Sequence, residues 1–372
     1  MAMINFTSAL YLGLHHPSQF LQPWQQLTLG VPAALEEPPG AEEAAGRLAQ
    51  LQGCEHGVLL PSTLHLFWDL FAMLRRQPAA LFVDEGVYAI ANWGVDQFRA
   101  KGGDVYTFRH HDPDALLAQI KRQAHKKQYP VAIADGFCPA CGHAAPAGEY
   151  LEIVRRYGGL LVLDDTQALG ILGESPALHS PYGKGGGGML RWSGNFGPDI
   201  VVGSSLAKGF GVPVAVLAGS HKLIKRFKTA SDTRVHGSPP SIAVIQAARH
   251  ALQVNEAHGN WLRHRLAQRV VQFRKGLEAI GWDAIGGWFP VQTLRGIIGN
   301  AAVRTHQYLS RYGIQAVLSR PRNSGEAHLS FLITARHSAG EIDHCIGILS
   351  TLTHSIKAVN RSGKPAYSGF IT

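Results

Sequence analysis

The sequence predicts an α/β fold: a mostly parallel central sheet covered by helices, followed by a smaller C-terminal α+β domain. Three observations carry this. Short apolar runs alternate with amphipathic stretches from about residue 40 to about residue 235. Runs such as Leu160-Leu161-Val162-Leu163 are apolar throughout, as strands covered on both faces are. After Pro239-Pro240 the character changes to one long helical stretch and then mixed strands and helices.

Taken in order, the large domain has helical patterns over 41–51, 64–75 and 148–157, and strand patterns over 57–60, 80–84, 131–135, 160–163 and 200–203. In this architecture ligand groups gather at the carboxyl ends of the strands, which is where Asp164 falls. The smaller domain reads as a helix over 241–280, a strand over 291–294, a helix over 301–312, strands over 314–318 and 329–333, and a helix over 339–352. The expected organisation is an N-terminal segment 1–40, a large domain 41–240, a small domain 241–356 and a loosely held polar tail 357–372. The glycine run at 183–188 is not a phosphate-binding P-loop, since no GK[ST] closes it. It reads either as a mobile loop near the site or as a plain surface connection.

Composition narrows the functional classes. A chain of 372 residues with 45% hydrophobic content can build two packed units. No apolar run approaches the ~18 to 20 residues that span a bilayer, and the opening MAMINFTSALYLG lacks a secretory pattern. A cytoplasmic protein without membrane partners is therefore expected. Cys54, Cys138, Cys141 and Cys345 are too few for a disulfide scaffold. Cys138-Pro-Ala-Cys141 has redox or half-zinc-site spacing, but no second CxxC exists and His143 alone does not complete a ligand set. The pair reads as two thiols on a loop, with no metal. The net charge of +9 could attract an anionic substrate or cofactor, yet it is scattered, without the basic stripe that nucleic-acid binding needs.

Two segments carry chemistry. Leu160 to Gly170, LLVLDDTQALG, places a pair of acids at the end of a buried strand, and Ile200 to Gly211, IVVGSSLAKGFG, ends a strand in two serines and then a lysine among glycines. Burial lowers a lysine's pKa toward the neutral amine that imine chemistry requires. A lysine for a Schiff base and a carboxylate for a pyridine nitrogen together point to pyridoxal phosphate. A phosphate needs its own cradle, and Leu59 to His65, LLPSTLH, supplies hydroxyls and N–H groups at a helix start. An ordinary helix cap has the same look.

These segments resemble the α-oxoamine synthase family of fold-type I pyridoxal-phosphate transferases, which includes 8-amino-7-oxononanoate synthase, aminoketobutyrate ligase and serine palmitoyltransferase. Asn5 to Leu14, NFTSALYLGL, is similar to the family's NFSSNDYLGL, and Ala134 to Phe137 to its (T)(D/E)GVF segment. Leu163 to Gly170 resembles VDDAHxxG, Ser204 to Gly211 resembles GTFSKAFG, and Ser238-Pro239-Pro240 falls at the family's double proline. The resemblance implies that Lys208 holds the cofactor and moves protons at the substrate Cα, and that Asp164 binds the pyridine nitrogen. Tyr88 would stack on the ring where relatives have histidine, the alternative being plain core packing. Ser62, Thr63 and Leu64 would bind the phosphate, Ser205 and Asp135 would lie beside the cofactor, and Asp165 would be scaffold. His236 falls near the point where a partner subunit reaches the phosphate, which implies a homodimer with shared sites.

Three departures from the family pattern bear on substrate. Gln167 stands where relatives have histidine, so it can donate to the cofactor's phenolic oxygen but cannot relay a proton. Ser330 falls where an arginine would grip the amino acid's carboxylate, leaving Arg320 or Arg322 to take over. The opening motif starts at residue 5, without the N-terminal helix that helps relatives bind coenzyme A. The leading expectation is condensation of an amino donor with an acyl thioester, on coenzyme A or a carrier, with loss of carbon dioxide. Transamination of a small amino acid or amine, another reaction at Cα, and a catalytically degenerate cofactor-binding protein are the alternatives.

Overall fold

The computed structural model describes residues 3–22, 24–320 and 325–362. The chain divides into two compact units. The larger comprises Leu12–Cys138 and His143–Arg263; the smaller comprises residues up to Tyr11, Pro139–Gly142 and the chain from His264 onward.

The larger unit is built on seven strands: β1 (His56–Leu60), β2 (Ala79–Asp84), β3 (Asp104–Phe108), β4 (Tyr129–Asp135), β5 (Leu160–Asp164), β6 (Ile200–Ser205) and β7 (Ala215–Gly219). Their order across the sheet is β1-β7-β6-β5-β4-β2-β3, with β7 alone antiparallel to its neighbours. Val131, Ile133, Leu160, Val162 and Val201 are almost fully buried. The helix α1 (Thr63–Arg75) lays Leu66, Phe67, Leu70 and Phe71 into the same core cluster. The apolar runs of the sequence are thus the central strands. Strands β3 and β7 were not expected: β3 is a half-exposed edge strand, and β7 is a short run of mostly small residues between β1 and β6.

The glycine run at 183–188 is neither a mobile loop nor a plain surface connection. It packs against the segment after β5, with Gly170 N–H bonded to Gly186 O at 2.8 Å and Gly188 N–H to Leu172 O at 2.7 Å. A Cβ at Gly173 would lie 1.8 Å from the Lys184 carbonyl oxygen, so the backbones meet where no side chain fits.

The smaller unit carries a four-stranded antiparallel sheet in which Val291–Ile298 and His328–Leu332 are the central pair. Ile4–Asn5 adds a two-residue parallel ladder with Ile314–Gln315. The adjoining Phe6 is fully buried and stacks on His337 at 4.4 Å between ring centroids. The helix Ile242–Ala279 runs unbroken for 38 residues, and the division between units falls inside it, at 263/264, downstream of the 240/241 boundary marked by the prolines. The last helix, Ala339–Ser362, overruns its expected end at 352 into the stretch expected to be a loose tail. The reason is local: no glycine or proline lies between Leu352 and Gly363.

Candidate active site

Register brings the predicted residues into one row at the carboxyl ends of the strands. Asp135 pairs with Asp164 across β4 and β5, Asp164 with Gly203 across β5 and β6, and Ala215 with both Ser205 and Leu60. The turn after β6 carries Lys208, and the turn after β1 opens α1 at Thr63. In-register neighbours on adjacent strands point to the same face, so Asp135 and Asp164 lie side by side.

Alternation sends the next acid elsewhere. Asp165 is 1% exposed, and its Oδ2 accepts the Met189 N–H at 2.9 Å. A Cβ on Gly188, which sits at φ +87°, would lie 1.9 Å from that oxygen. Asp165 is therefore enclosed by the backbone of the glycine run.

The electrostatics of the row are those of charges held away from water. Burial lowers the Lys208 pKa, and the charges of Asp164 and Asp135 only partly offset this. Burial raises the Asp164 carboxyl above its ordinary value, against the Thr166 hydrogen bonds and the Lys208 charge. Asp135 is pushed up further, first by burial and then by Asp164, while the Tyr88 N–H, 3.2 Å from its Oδ1, opposes the shift. Each shift favours a neutral group, the state expected of ionisable side chains awaiting a charged partner.

Tyr88 is 62% exposed, which removes the core-packing alternative. Its ring lies 5.9 Å from Lys208 Nζ. Ser62 precedes the first residue of α1, and its hydroxyl is 2.8 Å from His65 Nδ1 rather than capping the helix. The first N–H groups of that helix, from Thr63 and Leu64 onward, have no intrahelical acceptor. Gln167 is half-buried in the turn that follows Asp164. His236 is exposed at the end of the short helix Asp232–His236. In the smaller unit, Arg320 is exposed just past the strand Val317–Ser319, and Ser330 Oγ is 2.7 Å from Thr293 Oγ1. Arg322 lies outside the described residues.

Two residues with clear positions in the site were missed from the sequence. Thr166 joins two strand ends: its N–H bonds Asp164 Oδ1 at 3.0 Å, and its Oγ1 accepts the Ser205 N–H at 3.0 Å. A hydroxyl two residues after an aspartate at a strand end was the available signal. Asp84 is the second. It is 2% exposed and accepts from Gly86 N–H at 2.7 Å, His111 N–H at 2.9 Å, the Tyr150 hydroxyl at 3.2 Å and His110 Nδ1 at 2.6 Å. It thereby ties down the loop that presents Tyr88.

A lysine and an aspartate at neighbouring strand ends, in a sheet of this order, define a fold-type I transferase. Residues 39–349 match the model of the aminotransferase class I and II family, and the chain belongs to that family. It is 28% identical over 260 residues to an 8-amino-7-oxononanoate synthase of Alkalilimnicola ehrlichii, covering 68% of this chain and 63% of that protein. A namesake from Nitrosococcus oceani is 27% identical over 91% of this chain and 89% of its own length. A solved structure described as SPT with PLP internal aldimine shares the fold with a TM-score of 0.83 at 17% identity, covering 95% of this chain and 88% of that one. The resemblance to α-oxoamine synthases read from the sequence is borne out by these relatives. Among the described residues, no helix is long and apolar enough to cross a membrane.

Proposed function

We propose that this chain is a pyridoxal 5'-phosphate-dependent acyltransferase that condenses an amino donor with an acyl thioester, on coenzyme A or a carrier, releasing carbon dioxide. The observation that carries the reading is the pairing of a lysine held toward the neutral amine with Asp164, a carboxyl at the neighbouring strand end that lacks a full complement of donors. The residues fit the cofactor: a nucleophilic amine, an acid for a ring nitrogen, an exposed aromatic face at Tyr88 and a helix start for a phosphate.

When bound, the cofactor withdraws electrons from the substrate Cα. Lys208 would hold the cofactor through its amine, and the same amine would remove and return the proton at Cα. Asp164 holds the ring nitrogen protonated, and Asp135 fixes the loop of Tyr88 through its N–H. Ser62, Thr63 and Leu64 would hold the phosphate, Ser205 would lie beside the ring, and Gln167 would donate to the phenolic oxygen. In the overall reaction a C–C bond forms between Cα and the acyl carbon, the C–S bond breaks, and the Cα carboxylate leaves as carbon dioxide. Arg320 is the proposed anchor for that carboxylate, with Arg322 its alternate, since Ser330 offers only a hydroxyl already close to Thr293. The chain acts as a cytoplasmic homodimer, with His236 reaching the partner's phosphate site.

The test is a panel of amino acids, each with and without acyl-CoA, followed by mass spectrometry. Release of free CoA and carbon dioxide is the expected result. A keto acid formed without acyl-CoA would establish transamination instead. Lys208→Ala should abolish borohydride-reducible attachment of the cofactor, and a wild type that cannot take up the cofactor at all would overturn the whole reading.

A further inference from the structure

We infer that Arg263, on the long helix Ile242–Ala279, is a positioning residue for Lys208: its guanidinium clamps the segment after Asp164 against the turn that carries the lysine. The inference rests on the reading of Lys208 as the reactive amine, and all the residues it uses lie in the larger unit. Arg263 is 2% exposed, and among the described residues no carboxylate pairs with it. Burial pushes its pKa down to about 10. Its partners are neutral oxygens: Nη1 donates to Gly170 O at 2.9 Å and to Asn255 Oδ1 at 2.8 Å, and Nη2 to Asn260 Oδ1 at 2.7 Å. A methionine would fill the same space without the cost of desolvating a charge, so stability alone does not account for the guanidinium. What it supplies is direction, since a planar fork addresses three fixed oxygens at once.

The clamp reaches the lysine from backbone to backbone. Asn255 Nδ2 donates to Gly185 O at 2.8 Å and Asn260 Oδ1 accepts the Gly185 N–H at 3.0 Å, so the asparagines that orient the guanidinium also hold the glycine run. That run in turn accepts the Gly170 N–H at Gly186 O, 2.8 Å away. Gly170 also meets Gly209, the residue after Lys208: a Cβ on Gly170 would lie 3.2 Å from Gly209 Cα, and one on Gly209 would lie 2.4 Å from Leu169 O. Neither glycine has a side chain to absorb a shift of the other. The helix makes room for the fork at Gly259, one turn before Arg263, where a Cβ would lie 2.8 Å from Nη2. Glycine inside a helix is ordinarily a cost, and here the guanidinium occupies the space it leaves. A reactive amine misplaced by about 1 Å can cost on the order of 10²-fold in rate.

The test uses full-length protein carrying Arg263→Met, which keeps bulk without charge, and Arg263→Lys, which keeps charge without the fork. In cofactor-free protein, hydrogen–deuterium exchange should rise over 164–173 and 204–212 in both variants and stay unchanged in β4. Only the neutral amine adds to the cofactor's aldehyde, so the pH dependence of pyridoxal-phosphate uptake reads the Lys208 pKa. Burial lowers that pKa, and a loosened turn admits water, so the uptake midpoint should rise by about 0.5 pH unit or more in Arg263→Met. With the cofactor bound, kcat should fall on the order of 10²-fold while KM for the amino donor changes by less than about threefold. Val95→Ala, a core truncation on the helix Ala89–Ala100, controls for lost stability: it should lower the urea midpoint and leave the uptake midpoint in place. Should the Arg263 variants fail to fold, Asn260→Ala, at an exposed position, carries the test, with the same changes at reduced size. A wild-type uptake midpoint in the folded variant overturns the positioning role and leaves the cofactor reading standing. So does wild-type exchange in both segments, or an uptake midpoint that moves equally in Val95→Ala. If wild type takes up no cofactor, it is the proposed function that falls, and exchange over 204–212 decides the clamp.

Discussion

Two parts of one sheet edge treat their carboxylates in opposite ways. At the end of β2, burial pushes the Asp84 carboxyl up, but the bonds from His110, His111 N–H and Gly86 N–H outweigh it and hold the pKa below its ordinary value. One and two strand ends away, Asp135 and Asp164 are also raised by burial but have fewer donors to oppose it, and their pKa values rise. The difference is in the number of donors folding supplies. Asp84 is saturated by the protein and acts as scaffold. Asp164 receives its donors from one residue, Thr166, and is left with electrostatic demand that a cationic ligand can meet.

The contrast can be broken or sharpened by mutation. The largest effect should come from Asp164→Asn, with kcat/KM falling on the order of 10³-fold, since an amide cannot hold a ring nitrogen protonated. Asp165→Asn, one residue along, should cost less than about 10-fold, because its carboxyl faces Met189 and the glycine run. Similar losses from both, measured by steady-state kinetics at saturating cofactor, would erase the distinction between the two acids.

Next in size is Asp84→Ala, which leaves several buried donors without an acceptor and should destabilise the fold by about 3 kcal/mol in urea titrations. A cost near zero would show that Asp84 is not the hub its four hydrogen bonds indicate.

The smallest and most diagnostic effect is on pH dependence, followed by thermal melts of cofactor-free protein. A raised pKa means that the folded state binds the proton more tightly than the unfolded chain does. The Asp135 contribution is therefore full below the ordinary carboxylate value of about 4 and is lost as pH rises through the raised one. Asp84 is depressed, so its contribution is present above about 4 and is lost as pH falls through its lowered value. With rising pH the stability advantage of wild type over Asp135→Asn should shrink, while that over Asp84→Asn should grow. Parallel pH profiles for the two variants would contradict the opposite titrations.

Much of the site was legible because its residues sit at fixed places in local patterns. Asp164 follows four apolar residues and Lys208 follows a strand by three, so strand assignment alone puts both at carboxyl ends. Asp84 was missed because its role includes bonds to residues as far as 66 positions away, as to Tyr150; for Thr166 the bond to Asp164 is local and was legible, but the bond that joins it to Ser205 spans 39 positions. Strands β3 and β7 were missed because an edge strand is half-exposed and small residues give a weak apolar signal. The glycine run, read as a mobile loop near the site or a plain surface connection, proved buried at Gly183 and over 186–188, since glycine marks close backbone approach as well as freedom.

By itself the sequence determined the α/β class and the positions of Lys208 and Asp164 at strand ends, because these follow from hydrophobic periodicity and residue chemistry along the chain, while the departures at Gln167 and Ser330 show only against the motifs of the family it resembles. Only the tertiary structure decided which carboxylates are saturated and which are left in demand, and that His110 and Tyr150 come to Asp84. Those facts depend on which backbone donors and side chains folding gathers around each group, and neighbours in space leave no period in the sequence.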